Sequence, residues 1–372
     1  MTETESANVT AVAVTKTGIP IRNLWHMFLY DWDAWRLKDH WRAEVEAAPS
    51  LDALLGSILV SLVQQRLRIG LGRNYRDDES LISGIRGRVD FSQSLKRLAF
   101  QHGRAYCRCQ TFSANVPKNQ IIRSTVARLV QVGDFGPDRP LANELRSKMR
   151  RLVHNTASID LIDLKIERIR REQLGRHDAD YSLMLAICYL LLQRQMPTET
   201  IGNSKLPFLD RDECTLFEVY ERFVAKFYTV HLLDWIVSPQ RKFKWPAAQP
   251  SGFLPIMSPD LVLTHKVTSK RVVLDTKFTQ HILVPGAWNN LVFSRDHLFQ
   301  LYAYLRSQEE TSDHHRTATG ILLYPTVNHR LSEFVSIQGH EFRWETIDLA
   351  QPWEEIEEDL LKIPAATLSA EG

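Results

Sequence analysis

One stretch of 21 residues constrains this chain more than any other: SPDLVLTHKVTSKRVVLDTKF, residues 258–278. It reads as strand, turn, strand, with the polar KVTSK as the turn. VVLDTKF is β-branched and apolar on both faces, the pattern of a central strand. Side chains at i and i+2 of a strand share a face. Asp275 and Lys277 therefore point one way, and Thr276 and Phe278 the other. A carboxylate and an ammonium inside an apolar strand are costly to bury unless something compensates. Asp260 opens the preceding strand, fifteen positions before Asp275, and a hairpin would set the two acids side by side.

Two converging carboxylates make a site for a hard cation. Mg²⁺ takes oxygen ligands and keeps several waters. Such an ion polarises a phosphodiester and acidifies a water, while a lysine beside it offsets the charge that develops at phosphorus. Asp260, Asp275 and Lys277 are thus the candidate catalytic residues, with Asp260 and Asp275 as metal ligands. A D-x-K triplet also arises often by chance, and an edge-strand ion pair is the plain alternative.

The flanking helices add weight. In LFEVYERFVAKFY an apolar stripe runs through Leu216, Tyr220, Phe223, Val224 and Phe227. Glu221 lies at the edge of that stripe, within reach of a metal on a sheet below, and is the third candidate ligand. Glu218 lies nearer the opposite, solvated face. Downstream, RDHLFQLYAYLRS places Gln300 and Tyr304 four apart on one helix face, with His297 on the same side. Gln300 and Tyr304 are candidates to bind a phosphate or orient the attacking water. His281, just past Lys277, is read as structural.

The rest of the chain sets the frame. At 372 residues, two domains are expected. Residues 1–18 read as a flexible tail, 19–200 as an N-terminal partner-binding domain and 201–372 as a second domain. The Pro-, Gly- and Ser-rich residues 196–213 are the linker. Helices are expected over residues 24–32, 51–67, 117–132, 140–153, 182–193, 215–237 and 294–307. Strands are expected at 260–264, 271–278 and 320–325, and turns with short strands around Gly84 and Gly87. The fold class is α/β: a mixed α+β first domain, then a central mixed sheet flanked by helices. A formal net charge of +2 neither demands nor excludes nucleic acid. Cys107, Cys109, Cys188 and Cys214 have neither zinc nor disulfide spacing. No signal peptide is indicated, and the apolar run at 183–192 is too short to span a bilayer, so a cytoplasmic location is expected.

Taken in order, the helix glutamate, Pro-Asp, Asp-x-Lys and Gln-x-x-x-Tyr resemble the PD-(D/E)XK nuclease superfamily, on its RecB-like branch. The N-terminal IPIRNLWHMFLYDWD is similar to the opening signature of McrC proteins, the nuclease subunits of McrBC-type modification-dependent restriction systems. GIRGRVDFSQSL, NQIIRSTVARLV, HLFQLYAYL and GILLYP resemble that family too, so the likeness spans residues 19–355. The D-x-K motif is the less specific part and the N-terminal signature the more specific.

The resemblance implies a restriction-endonuclease-like C-terminal domain that cuts double-stranded DNA carrying modified cytosine, using Mg²⁺. It implies an N-terminal region, with the IPIRN segment and the 51–67 helix in its core, that binds a hexameric AAA+ GTPase and stimulates GTP hydrolysis. By the same resemblance Asp260, Asp275 and Glu221 match the metal-binding acids, Lys277 the catalytic lysine, and Gln300 and Tyr304 the downstream motif. The turn LGRNYRDDES would touch the partner. The cysteines lack the terminal cluster of iron–sulfur RecB-like nucleases. Two alternatives stay open: a stand-alone DNA-repair or CRISPR-associated nuclease, and a non-catalytic adaptor that stimulates a GTPase.

Overall fold

The computed structural model describes residues 14, 17–175, 178–195, 211–247, 251–279, 282–286 and 290–368. His281 and most of the expected linker lie outside them. The chain divides into two compact units, one of residues 48–199 and one combining 1–47 with 200–372. This differs from the expected 19–200 and 201–372: the first helices go with the C-terminal unit.

The reason is visible in α1 (Ile21–Asp31), eight of whose 11 residues are buried. Pro20 caps it, where a missing N–H costs nothing. Asn23 Nδ2 donates to the carbonyls of Leu349 and Gln351, at 2.8 and 2.9 Å. Tyr30 OH lies 2.7 Å from His231 Nε2 and donates to Glu357 at 3.1 Å. Arg222 grips Asp31 with two hydrogen bonds of 2.7 and 3.1 Å. The IPIRN segment is therefore core of the C-terminal unit and not, as expected, of the N-terminal one. A short helix, α2 (Arg42–Ala47), follows.

The 48–199 unit begins with α3 (Leu51–Ile69), capped by Ser50, whose hydroxyl accepts from Ala53 N at 3.1 Å. A three-stranded antiparallel sheet, β1 (Asn74–Ser83), β2 (Arg88–Val89) and β3 (Arg104–Ser113), has the order β1-β3-β2, with α4 (Phe91–Lys96) beside it. The expected LGRNYRDDES turn is mostly β1, paired with β3 along its whole length. Gly87 bends the chain at φ +71°, and a Cβ there would meet the Arg108 carbonyl oxygen at 2.4 Å. Helices α5 (Pro117–Val132), α6 (Arg139–Asn155), α7 (Ile166–Arg171) and α8 (Ala179–Gln195) complete the unit. Asn119 knits it together, donating to the Gly72 and Ala114 carbonyls and accepting from Tyr181 OH at 2.7 Å. The apolar run at 183–192 lies buried within α8. Among the described residues no helix is long and apolar enough to cross a membrane.

The other unit resumes with α9 (Arg211–His231) and β4 (Trp235–Pro239), then β5 (Leu261–His265), β6 (Arg271–Thr276) and the small hairpin β7 (Leu283–Pro285) and β8 (Leu291–Phe293). Helices α10 (Arg295–Arg306) and α11 (Asp313–Arg316), strands β9 (Thr319–Thr326), β10 (Ser332–Ile337) and β11 (His340–Asp348), and α12 (Trp353–Ala366) complete it. The main sheet is mixed, in the order β10-β11-β9-β6-β5-β4. β4, β5 and β6 run antiparallel, whereas β6, β9 and β11 are parallel neighbours. Val262, Val273, Leu322, Tyr324 and Phe342 pack with Leu301, Tyr304 and Leu305 of α10 in one core. α10 can lie this close because β9 carries Gly320, where a Cβ would come within 2.9 Å of Leu301 Cγ. The mixed sheet flanked by helices is the expected fold class. The expected 215–237 helix ends earlier, because Trp235–Pro239 is the edge strand β4.

Candidate active site

β6 is buried along nearly its whole length, as a central strand should be. Leu261 pairs with Leu274 in the antiparallel β5–β6 register, so extending it by one residue sets Asp260 opposite Asp275. Val273 belongs to the core that α10 covers. Asp275 and Lys277 continue that face by strand alternation, so they look toward α10. Lys277 is held there by its backbone, whose N–H donates to the Leu323 carbonyl of β9 at 2.9 Å.

The side chains form a connected set. Lys277 Nζ is 2.5 Å from Asp275 Oδ2 and donates to Gln300 Oε1 at 2.8 Å. Gln300 in turn donates to Tyr304 OH at 2.7 Å, and Tyr304 donates to the Ser258 carbonyl at 3.5 Å. The Lys277–Asp275 contact is an ion pair that engages the buried Asp275 Oδ2. Asp260 Oδ2 accepts from the Thr276 amide at 2.7 Å and from its hydroxyl at 2.6 Å. Glu221 is half-buried and accepts from Gln240 Nε2 at 3.1 Å. Glu218 is exposed and pairs with Arg222.

The electrostatics are those of crowded carboxylates. Burial first, and then the charges of Asp260 and Glu221, push the Asp275 carboxyl up to about 6, against the pull of Lys277. Burial and then Asp260 raise Glu221 as well. Burial lowers His297, and the Lys277 ammonium lowers it further. A cation would relieve this repulsion. Among the described residues, however, no three His, Cys, Asp or Glu side chains converge as a ready metal cluster. The acids are instead engaged with Thr276, Gln240 and Lys277. Asp260 and Asp275, two carboxylates in register across the hairpin, suit an ion that binds through oxygen ligands and completes its shell with water and substrate.

Comparison with known proteins places the chain. The family described as McrBC 5-methylcytosine restriction system component matches residues 6–325. The chain belongs to this family. It is a restriction-system component in the McrBC sense. It is 25% identical over 352 residues to the type IV methyl-directed restriction enzyme EcoKMcrBC of Escherichia coli (strain K12), a match covering 93% of this chain and 97% of that one. Its fold is similar to the refined half-complex from the tetradecameric assembly of Thermococcus gammatolerans McrB AAA+ hexamers with bound McrC. There the TM-score is 0.58 at 16% identity, over 94% of this chain and 76% of the other.

In this McrBC-family chain the residues singled out from sequence separate into two groups. Asp275, Lys277, Gln300 and Tyr304 are linked by direct contacts. Asp260 sits across the hairpin, and Glu221 reaches the set through Gln240, which bonds both Glu221 and the Asp260 carbonyl, and through the charge it places on Asp260 and Asp275. Thr276 escaped the sequence reading because alternation assigns it to the far face. Its amide and hydroxyl nonetheless bind Asp260 at the strand end. Gln240 had no signal in the sequence, since its role depends on where β4 ends. Tyr324, whose hydroxyl is 3.0 Å from His297 Nδ1, lies on β9, the parallel neighbour of β6.

Proposed function

We propose that this chain is the nuclease subunit of a GTP-dependent, modification-dependent restriction complex, with a PD-(D/E)XK site built on Asp260, Asp275 and Lys277. The observation that carries this reading is the bridge of Lys277 between Asp275 and Gln300, with Asp260 in register across the hairpin. Asp260 and Asp275 would hold Mg²⁺, with Glu221 adding negative charge behind them. When bound, Mg²⁺ supplies positive charge to the phosphodiester and acidifies the attacking water.

The chain's own residues do the positioning. Gln300 and Asp275 fix the Lys277 ammonium, so its charge faces the oxygens of the scissile phosphate as negative charge builds up there. Tyr304 holds Gln300 and is itself tied to the Ser258 carbonyl, just ahead of Asp260. Thr276 pins one oxygen of Asp260 and leaves the other free for a ligand. Water attacks phosphorus, the P–O bond to the leaving nucleotide breaks, and the proton of water ends on that oxygen.

The solved relative is McrC bound to McrB AAA+ hexamers. By analogy the 48–199 unit binds an AAA+ GTPase ring and stimulates it, and the E. coli relative's methyl-directed activity points to duplex DNA carrying modified cytosine. The test combines purified chain, its GTPase partner, GTP, Mg²⁺ and methylated duplex. Cleavage should need all five, and the chain should accelerate GTP hydrolysis. Robust cutting by the chain alone would establish a stand-alone nuclease instead. Unchanged GTP hydrolysis would remove the partner assignment.

A further inference from the structure

The segment joining β4 to β5 begins and ends at the candidate site. At its start the Gln240 amide donates to the Asp260 carbonyl at 2.8 Å, and its side chain donates to Glu221. At its end the Ser258 carbonyl accepts from Tyr304. Between these points the base is firmly anchored. Phe243 and Met257 are buried and pair as an antiparallel bridge, with Phe243 N donating to the Met257 carbonyl at 2.8 Å. The Phe243 ring packs edge-on to Tyr304, 6.4 Å between centroids, and Gln308 Nε2 donates to the Lys244 carbonyl at 3.1 Å. Further out, Trp245 Nε1 donates to the Pro255 carbonyl at 2.7 Å.

Beyond that clasp the chemistry changes. Phe253 is 98% exposed and Ile256 is 66% exposed, with Leu254 between them also in solvent. A contiguous apolar group held out on a fixed base marks a surface that something covers. Arg241, Lys242 and Lys244 are exposed on the same segment, Arg241 near Arg271 and His315, and no carboxylate among the described residues pairs with any of the three. Unpaired cations around an apolar tip are what duplex DNA requires of a protein that distorts it. The cations neutralise phosphates and fix position, while Phe, Leu or Ile enters between base steps and is rewarded by added contact.

We propose that residues 241–247 and 251–257 form a DNA-engaging loop: Arg241, Lys242 and Lys244 seat on the phosphates flanking the scissile bond, and Phe253 inserts among the bases beside it. The proposal rests on the nuclease reading, since the loop shares Gln240, Ser258 and Tyr304 with that site. A protein surface would also cover an apolar tip, but it would not call for three unpaired cations beside a phosphodiester-cutting centre.

The experiment uses the full chain and a duplex carrying 2-aminopurine, with affinity measured by anisotropy over a range of salt. The wild-type chain should bind and raise the 2-aminopurine fluorescence. The Lys242→Ala, Lys244→Ala double variant should bind on the order of tenfold more weakly, with a salt slope lower by about 2. Phe253→Ser should keep the salt slope and lose the fluorescence rise, and Phe253→Leu should retain it. No duplex binding by the wild-type chain at low salt, or variants that bind and report like wild type, would overturn the proposal. So would variants that lose only the GTPase partner. Scoring cleavage of methylated duplex by the same proteins, with the GTPase partner, GTP and Mg²⁺ added, separates the two ideas. If loop variants bind normally while Asp275→Asn abolishes cutting, only the loop proposal fails. If the loop variants lose duplex but no protein, wild type included, cuts in that complete mixture, the loop stands and the nuclease reading fails.

Discussion

Lys277 Nζ donates to Gln300 Oε1 at 2.8 Å, so the residue just past the end of β6 and a residue of α10 hold each other beside Asp275. Without Gln300 the ammonium keeps its charge and its ion pair but loses its aim. Gln300→Ala should therefore lower single-turnover DNA cleavage by roughly 10–100-fold, the scale of a misplacement of about 1 Å. Duplex affinity and melting temperature should stay near wild type. An unchanged cleavage rate would mean that Gln300 is ordinary helix surface.

Asp275 is the costliest residue in the site. Its carboxyl is raised by burial and by its acidic neighbours to about 6, so at pH 7 it is ionised at the expense of the folded state. Asp275→Asn should stabilise the metal-free protein, by on the order of 1–3 kcal/mol at the 1.36 kcal/mol carried by each pKa unit. Millimolar Mg²⁺ should raise the wild-type melting temperature by binding only the folded state, and raise that of the variant much less. Calorimetric scans of both proteins with and without Mg²⁺ make the comparison.

How far the sequence could be read depended on where the information lay. β5, β6, β9 and α10 were legible because their apolar period is local and their charged residues interrupt it at i, i+2 or i, i+4 spacing. β3 was missed although Ala105, Cys107 and Cys109 alternate inward; small residues and cysteines between arginines give a weak apolar signal. β11 was missed too, because HEFRWETID carries charge on nearly every second residue. The placement of α1 could not be read from the sequence at all. Asn23, Tyr30 and Asp31 make their decisive bonds to residues about 190–330 positions away, and no local pattern encodes such partners.

Those distant bonds can be weighed directly. Asn23 donates to two backbone carbonyls, Leu349 and Gln351, from a fully buried position. Asn23→Ala leaves both without that donor, at about 1–3 kcal/mol per unsatisfied buried group. A loss of roughly 2–4 kcal/mol in unfolding free energy is expected, read by urea titration of the C-terminal unit's tryptophan fluorescence. A change within 0.5 kcal/mol, typical of surface substitutions, would show that α1 is held by its apolar face alone.

His26 stacks on Trp353 with ring centroids 4.6 Å apart, and burial lowers its pKa to about 4, helped by Lys38. Below its ordinary value of 6.5 the unfolded chain takes up a proton that the folded chain refuses. This contribution to stability is whole above pH 6.5 and is lost as pH falls toward about 4. The full loss should be about 3 kcal/mol, with about 2 kcal/mol of it already gone by pH 5. His26→Phe keeps the stack and removes the proton, so its stability should fall less between pH 7 and pH 5 than that of wild type. Parallel pH profiles for the two proteins would assign the acid sensitivity elsewhere.

The most direct measurement is cleavage of methylated duplex by the assembled complex with GTP and Mg²⁺, with GTP hydrolysis followed in the same reaction. Asp275→Ala and Lys277→Ala should each reduce cleavage by at least about 10³-fold, the scale seen when a group that stabilises transition-state charge is removed, while GTP hydrolysis stays at the wild-type rate. Cleavage that persists in Asp275→Ala would contradict the site, whatever the GTPase does.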